Sequence, residues 1–487
     1  MSVSANAQSE KGDVIVSTDL VTVDWDGPDD PENPVNWKPS RKAPTIVLIS
    51  VMTFITPLSS SMFSPAEEEV MASFNTTSTM MGAFAVSVFV LGYAFGPILV
   101  APASELYGRL PVYHTCNLLF FVWSVACAKA SSMGMLIGMR FLAGIAGSCP
   151  ITIGAGSIAD TIPAERRGAV MAIWAMGPIL GPVVGPVAGG FISEYKGWRW
   201  TFWILVILSG AFLVVSLIFM RETYPPVLLR KRAQKLEKKG RQNGDDREYR
   251  SALDTEMLTP GQQIKLAISR PFKLLFFSPI VLFLSTYCAV VYGILYLIFT
   301  TLAFVFEGIY GFSQGTVGLS FLGIGVGCAV GLAISGAGSD TLVTRLSHGG
   351  ERKPEYRLPQ MILGAVLLPI GMFWYGWSVH ARVHWICPII GTSFVGMGMM
   401  TIFMSVSMYL VDAYVIYAAS ATASNTILRS LGGALLPLAG GPMLNALGVA
   451  WSASLLGFIS LAIIPGGVLL YKYGEQIRTN PRFQVKL

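Results

Sequence analysis

Long apolar runs separated by short polar ones fill the chain from residue 43 onward. Runs at roughly 43–63, 80–102, 112–130, 134–156, 168–191 and 199–220 predict six helices. A second set follows at roughly 276–300, 314–337, 359–378, 386–410, 417–440 and 450–471. Each is close to the ~20 residues that cross a bilayer, and they are numbered spans 1 to 12. The polar stretches divide the spans six and six. Residues 1–42 are acidic and proline-rich, which predicts a disordered tail with no signal peptide. Residues 221–275 predict a basic central loop and 472–487 a short C-terminal tail. The expected architecture is an all-α membrane protein with two six-helix bundles, 43–220 and 276–471.

One stretch breaks the ordinary pattern. Span 5 contains "GPILGPVVGPVAGG", residues 177–190. Gly177, Gly181, Gly185 and Gly189 recur every four residues and form one small-residue stripe along a helix. Pro178, Pro182 and Pro186 form a neighbouring stripe that removes backbone donors and lets the helix bend. In lipid the freed carbonyls need protein or water partners, so span 5 is expected to be a tight, bendable contact. Packing alone and a part in gating are both compatible with this pattern.

Composition agrees with the membrane reading. Hydrophobic residues make up 53% and charged residues 13%, against about 25% charged in soluble domains. Lys and Arg set the orientation. Between spans 6 and 7, Arg221 to Lys273 hold thirteen Lys/Arg and seven Asp/Glu, an excess equal to the formal net charge of +6. Lys38, Arg41 and Lys42, Arg109, Arg166 and Arg167, Arg345 to Arg357, and Lys472 to Lys486 fall on the same side of a twelve-span chain. That side, with both termini, is expected to be cytosolic. The sequon Asn75-Thr76-Thr77 lies between spans 1 and 2 on the other side, making Asn75 a candidate glycosylation site.

Little else points to covalent chemistry. The six cysteines lie in or beside spans without metal or disulfide spacing, and the four histidines are scattered. "GIGVGCAVG" (323–331) lies inside span 8, where close helix packing accounts for it. With no P-loop, ATP is not the expected energy source; no metal, cofactor or nucleic-acid partner is expected, and neither is an enzyme.

The polar landmarks suggest moving parts instead. Span 2 runs into "APASELYGRLPVY" (101–113), where Glu105, Gly108 and Arg109 share a tight turn and Arg109 can bridge to neighbouring acids. "SGAGSDTLVTR" echoes it in the second half, with Ser339, Asp340 and Arg345. Asp160, Arg166 and Asp412 lie near helix ends of the same side, where Asp160 and Asp412 are expected to pair with Arg109, Arg166 or backbone groups. Arg140 lies within span 4 and Arg429 within span 11, four residues after Asn425. A buried arginine faces a cavity or a partner, so each is read either as an anion-attracting or proton-linked group or as a packing contact. Tyr292 and Tyr296 share a face of span 7. Met397, Met399, Met400, Met404 and Met408 crowd span 10, either as a wall for apolar ligands or as ordinary packing. Spans 1 to 6 carry no carboxylate near a bilayer midplane.

These strings also resemble a known family. "ELYGRLPVY" is similar to the loop 2–3 signature of the major facilitator superfamily, departing from it at Leu106 and Leu110, where basic residues are common. "RFLAGIAGS" (140–148) resembles its span 4 segment, and "GPVVGPVAGGF" (181–191) resembles the span 5 antiporter motif, carrying Gly181, Pro182, Gly185, Pro186, Gly189 and Gly190. "DGPDDPENPVNW", "ADTIPAERRGAVMA", "WRWTFW" and "RETYPPVLLRKRAQKL" resemble hallmarks of the twelve-helix drug:proton antiporters of fungi. The resemblance runs from Asp26 to nearly the end of the chain. It implies two pseudo-symmetric bundles around a cavity that opens alternately to either face, with span 5 sealing against span 8. Glu105, Gly108, Arg109, Asp160 and Arg166 would form the gate; Arg140, Tyr292, Tyr296, Asn425 and Arg429 are the cavity candidates.

The expected function is proton-coupled efflux of small, largely apolar organic compounds, either xenobiotics or endogenous secondary metabolites, by a monomer in the plasma membrane. Glu105, Asp160 or another acid at a helix end would carry the proton. Uptake of a metabolite by symport or facilitated diffusion is the nearest alternative, and a membrane-embedded enzyme or sensor a more distant one.

Overall fold

Each predicted span forms helix, started and stopped by local signals, in the computed structural model, which describes residues 20–242, 247–253, 260–347, 353–414 and 417–481. Span 1 is Pro39–Ser61, with proline in its first turn, where no intrahelical donor is needed. Span 2 is Thr79–Tyr107, capped by Ser78, whose hydroxyl accepts the Met81 N–H at 3.4 Å. It stops at Gly108, whose φ of 98° suits glycine. Span 3 is Arg109–Ala128, span 4 is Met133–Gly147 followed by Cys149–Thr161, span 5 is Ala164–Lys196 and span 6 is Arg199–Phe219. The second half repeats the scheme with Pro279–Tyr310, Gln314–Ser320 with Leu322–Ser347, Leu358–His380, Ile386–Ala413 and Ala418–Leu435 as spans 7 to 11.

The last apolar stretch runs from Ser420 to Thr479, 60 residues. As one straight helix it would be ~90 Å long, three times a ~30 Å hydrocarbon core. Gly448 divides it, with φ 71° and ψ 174° inside Gly440–Thr479. Span 12 follows this break, and the count of spans is twelve.

Packing is duplicated. Span 1 packs on span 5, span 2 on span 4 and span 3 on span 6; in the second half 7 packs on 11, 8 on 10 and 9 on 12. The halves meet through spans 2 and 11, 5 and 8, and 1 and 7. The first two of these contacts map onto each other when the halves are exchanged. Exposed Ile207, Val214, Leu217 and Ile218 put one side of span 6 at the periphery, an apolar surface suited to lipid.

Two expectations for the polar segments need correction. Residues 20–42 are not disordered. Leu20–Val23 pairs in parallel with Glu248–Ser251, Leu20 opposite Glu248. Trp37 and Asp30 are buried. Nor is 221–275 a plain loop, since it contains the helices Pro225–Gln242 and Pro260–Phe277. The physical reason is charge: Arg232, on the first of these helices, pairs with Asp30 at 2.7 Å and also with Asp26. The acidic tail and the basic central segment therefore fold on one another at the end of the molecule called the loop face. Residues 1–19 lie outside the described residues.

Candidate functional site

At the end opposite the loop face, the halves are joined by hydrogen bonds between spans. The Ser60 hydroxyl shares a hydrogen bond with the Tyr296 hydroxyl at 2.9 Å, and Ser64 donates to the carbonyl of Phe299. Ser87 donates to the Ala434 carbonyl at 2.8 Å, linking spans 2 and 11. Glu194, near the end of span 5, accepts from the Gly315 N–H at 2.7 Å and from Ser313 at 3.2 Å. Three pairs of spans are thus tied at this far face.

Arg140 stands behind this closure rather than in a cavity. It is 1% exposed. Its guanidinium donates to the carbonyls of Ala85 at 2.6 Å, Ser60 at 3.0 Å and Val86 at 3.2 Å. Phe63, Phe89 and Phe202 surround it, with ring centroids 5.1 to 5.6 Å away. Its acceptors are main-chain groups, so no countercharge and no ligand is needed to satisfy it. Of its two alternative readings, the packing role is the one this geometry fits. Tyr296 likewise belongs to the closure through Ser60.

The stripe on span 5 has a different partner from the one the resemblance implied. A side-chain carbon on Gly177, Gly181 or Gly185 would lie 2.8 to 2.9 Å from the backbone of Thr53 and Leu58, and on Gly189 it would strike Met62. These glycines seat span 5 against span 1, within one half. The seam with span 8 uses the next face: Gly190 opposes Gln314, Pro186 and Val187 oppose Gly318, and Val183 opposes Gly325. Pro182 keeps its place in the helix, and its carbonyl accepts from Ser61 at 3.0 Å. The glycines supply close approach, and the seam with span 8 lies beside them.

The loop face of the first half is organised by Arg109. Its Nε reaches Asp160 at 3.3 Å and its Nη1 donates to Ser104 at 2.8 Å. Its ring partner is Tyr224, 4.6 Å away. Glu222, just past span 6, accepts the N–H groups of Arg109 at 2.9 Å and Leu110 at 3.1 Å, and those of Thr223 and Tyr224 at 3.0 Å. Gly108 is required here, because any side chain on it would collide with the Glu222 carboxylate. Glu105 is exposed, and Ser104 and Asp160 take the places expected for it. Sequence reasoning missed Glu222, although it stands in the quoted string "RETYPP". In the second half Arg357 pairs with Asp412 at 3.1 Å and Arg478 with Glu355 at 3.2 Å. Arg166 lies on the span 5 helix; its side chain, with those of Ser339 and Asp340, is outside the described residues.

Between the two ends a third cluster faces the opposite half. The Tyr292 and Tyr296 rings meet at a tilt of 57° with centroids 5.1 Å apart. The Arg429 guanidinium lies 4.8 Å from the Tyr292 ring and 4.6 Å from that of Phe403. Tyr292, Phe403 and Arg429 are half-buried near the middle of spans 7, 10 and 11, while Asn425, one turn before Arg429, is buried. The Tyr93 hydroxyl of span 2 lies near Tyr292 and Arg429 from the first half, its ring packed edge-on to Phe89. Tyr292, Asn425 and Arg429 are brought together at this depth. Met400, by contrast, packs against Gly331 of span 8. Asn75 is exposed beyond span 1 at the far face, in a left-handed turn with φ 50° that asparagine tolerates.

Comparison with known proteins matches this geometry. Residues 49–437 match the model of the Major Facilitator Superfamily. The chain is 55% identical over 465 residues to the MFS-type transporter penM of Penicillium rubens, covering 95% of this chain and 90% of that protein. It is 46% identical to the efflux pump radE of Floropilus chiversii, covering 96% and 86%. Among solved structures, a partially occluded, inward-open xylose transporter XylE from E. coli superposes with a TM-score of 0.65 at 15% identity, covering 89% and 98%. An inward-facing bacterial homolog of the human lysosomal transporter Spinster gives 0.63 at 14%, covering 91% and 100%. With its duplicated bundles tied at one end and a polar aromatic cluster between them, the chain belongs to the major facilitator superfamily and is a multi-pass membrane transporter.

Proposed function

We propose that the protein exports small, largely apolar organic compounds, xenobiotics or endogenous secondary metabolites, in exchange for protons. The observation that carries this reading is the closure of the far face above the Tyr292–Phe403–Arg429 cluster. By the distribution of Lys and Arg, the loop face and both termini are cytosolic. The closed end then faces outward, and a compound reaches the mid-depth cluster from the cytosol or the inner leaflet. Rocking of the halves would break the Ser60–Tyr296 and Ser87–Ala434 bonds and close the loop face instead. The plasma membrane is the site this role requires, a monomer suffices because one chain supplies both halves, and Asn75 stands where a glycan would be external.

Support for the direction comes from the aromatic lining, which suits apolar compounds, and from the relative named an efflux pump. The energy source follows from family resemblance in span 5. The test is retention of a panel of fluorescent apolar compounds in cells that express the protein. Lower retention of at least one compound, abolished by a protonophore, is the expected result. Faster accumulation in expressing cells would establish uptake instead.

A further inference from the structure

We propose that the mid-depth site binds anions: organic acids whose carboxylate is carried on an apolar, ring-sized body, with Arg429 as the countercharge. This rests on the cluster being the substrate site, as in the reading above.

Among the described residues, Arg140 and Arg429 both lie within the spans, Arg140 buried and Arg429 half-buried, and they differ in their partners. Arg140 spends its guanidinium on three carbonyls. Arg429 has only the Tyr292 and Phe403 rings at 4.8 and 4.6 Å, and its Nε is buried without a hydrogen-bond partner. No carboxylate pairs with it among the described residues. Asp160 is held by Arg109, Asp412 by Arg357 and Glu355 by Arg478, all near the loop face. A guanidinium stays charged at any physiological pH, and ring contacts offset only part of what a charge loses on leaving water. The site is therefore short of a negative charge that the protein does not supply.

The surroundings show what form that charge takes. Asn425, 1% exposed, has an unpartnered Oδ1, and Tyr93, 5% exposed, an unpartnered hydroxyl facing the cluster from span 2. A planar guanidinium fork matches two oxygens of a carboxylate. Tyr93 can donate to the same group from the other half, and Asn425 can accept a hydroxyl or amide proton of the ligand. Tyr292 and Phe403, both half-buried, offer ring carbons beside the guanidinium to an apolar body. Neutral hydrocarbons would use the rings and leave the guanidinium unpaired.

The test uses the purified transporter in detergent and two probes with one ring system, 1-naphthylacetate and its methyl ester. Binding is read by quenching of tryptophan fluorescence at about pH 7, where the acid is ionised. The acid should bind about tenfold more tightly than the ester. Arg429→Gln should abolish that preference by weakening the acid far more than the ester, while Arg429→Lys should restore part of it. If Arg429→Gln does not fold, Tyr93→Phe serves in its place, expected to lower the preference for the acid over the ester about threefold. Equal binding of the two probes by the wild type, or an acid preference that survives these changes, overturns the proposal. Binding needs neither gradient nor direction, so the two readings fail separately. Arg429-dependent acid binding without efflux refutes export alone. Proton-driven efflux of the ester with no acid preference refutes the anion site alone.

Discussion

Arg140 and Tyr296 hold the same residue from opposite halves of the protein. Arg140 donates to the Ser60 carbonyl at 3.0 Å, and Tyr296 shares a hydrogen bond with the Ser60 hydroxyl at 2.9 Å. The other carbonyls bound by Arg140, those of Ala85 and Val86, immediately precede Ser87, which bonds across to span 11. One buried cation thus fixes the backbone at two of the cross-half hydrogen bonds. Arg140→Ala removes three hydrogen bonds from a charged donor, each worth about 1.5–3 kcal/mol. Tyr296→Phe removes a single bond worth about 1 kcal/mol. Thermal unfolding of the purified variants should show a large loss for Arg140→Ala and a small one for Tyr296→Phe. Equal losses would remove Arg140 from its supporting role.

Glu222 accepts four main-chain N–H groups and so shapes the turn that aims Arg109 at Asp160. Arg109→Ala and Glu222→Ala should each leave protein in the membrane and reduce transport about tenfold or more. The double variant should be little worse than either, because contacting residues couple by about 0.5–3 kcal/mol. Additive losses would show that the two act independently.

Span 5 separates packing from gating within five residues. Gly185→Leu drives a side chain into the Leu58 and Met62 backbone inside one half, and overpacking of this kind costs about 1–3 kcal/mol. Gly190→Leu meets Gln314 across the halves instead. Yield and unfolding temperature should fall for Gly185→Leu. Gly190→Leu should fold but transport poorly, with cysteines introduced beside Ser313 easier to label. The reverse assignment would contradict the two seams.

The spans were legible because a bilayer demands apolar length, which the sequence carries in one dimension. Close approach at Gly177 to Gly189 was legible too, but their partner was not, since a four-residue repeat shows a face and not what lies on it. The Arg109–Asp160 pair could be anticipated from two opposite charges at neighbouring helix ends. Glu222 could not, because its partners are main-chain N–H groups that leave no mark in the sequence. The same reason hid the difference between Arg140 and Arg429, which depends on carbonyls at 60, 85 and 86. The order of residues 20–42 was hidden by composition, for the charges that fold the tail lie about 200 residues away, at Arg232.

The folded tail has its own pH dependence. Main-chain N–H groups of Asp26 and Glu32, then Arg232, hold the Asp30 carboxyl below its ordinary range. A lowered folded pKa stabilises above the unfolded value of about 3.9 and is lost as pH falls through the folded one. Hydrogen exchange, corrected for intrinsic rates, should show residues 20–37 protected from about pH 7 to pH 5 and released below about pH 4. Arg232→Ala should weaken that protection even near neutrality. Protection unchanged in acid and in the variant would separate the tail from this ion pair.

The most direct measurement of export coupled to protons uses oriented proteoliposomes loaded with an apolar fluorescent compound and given a pH step across the membrane. With the far face on the acidic side, the compound should move toward the acid, against the proton flow, and Arg109→Ala should stop it. Movement of the compound with the proton flow, or at a rate indifferent to the pH step, would contradict the account.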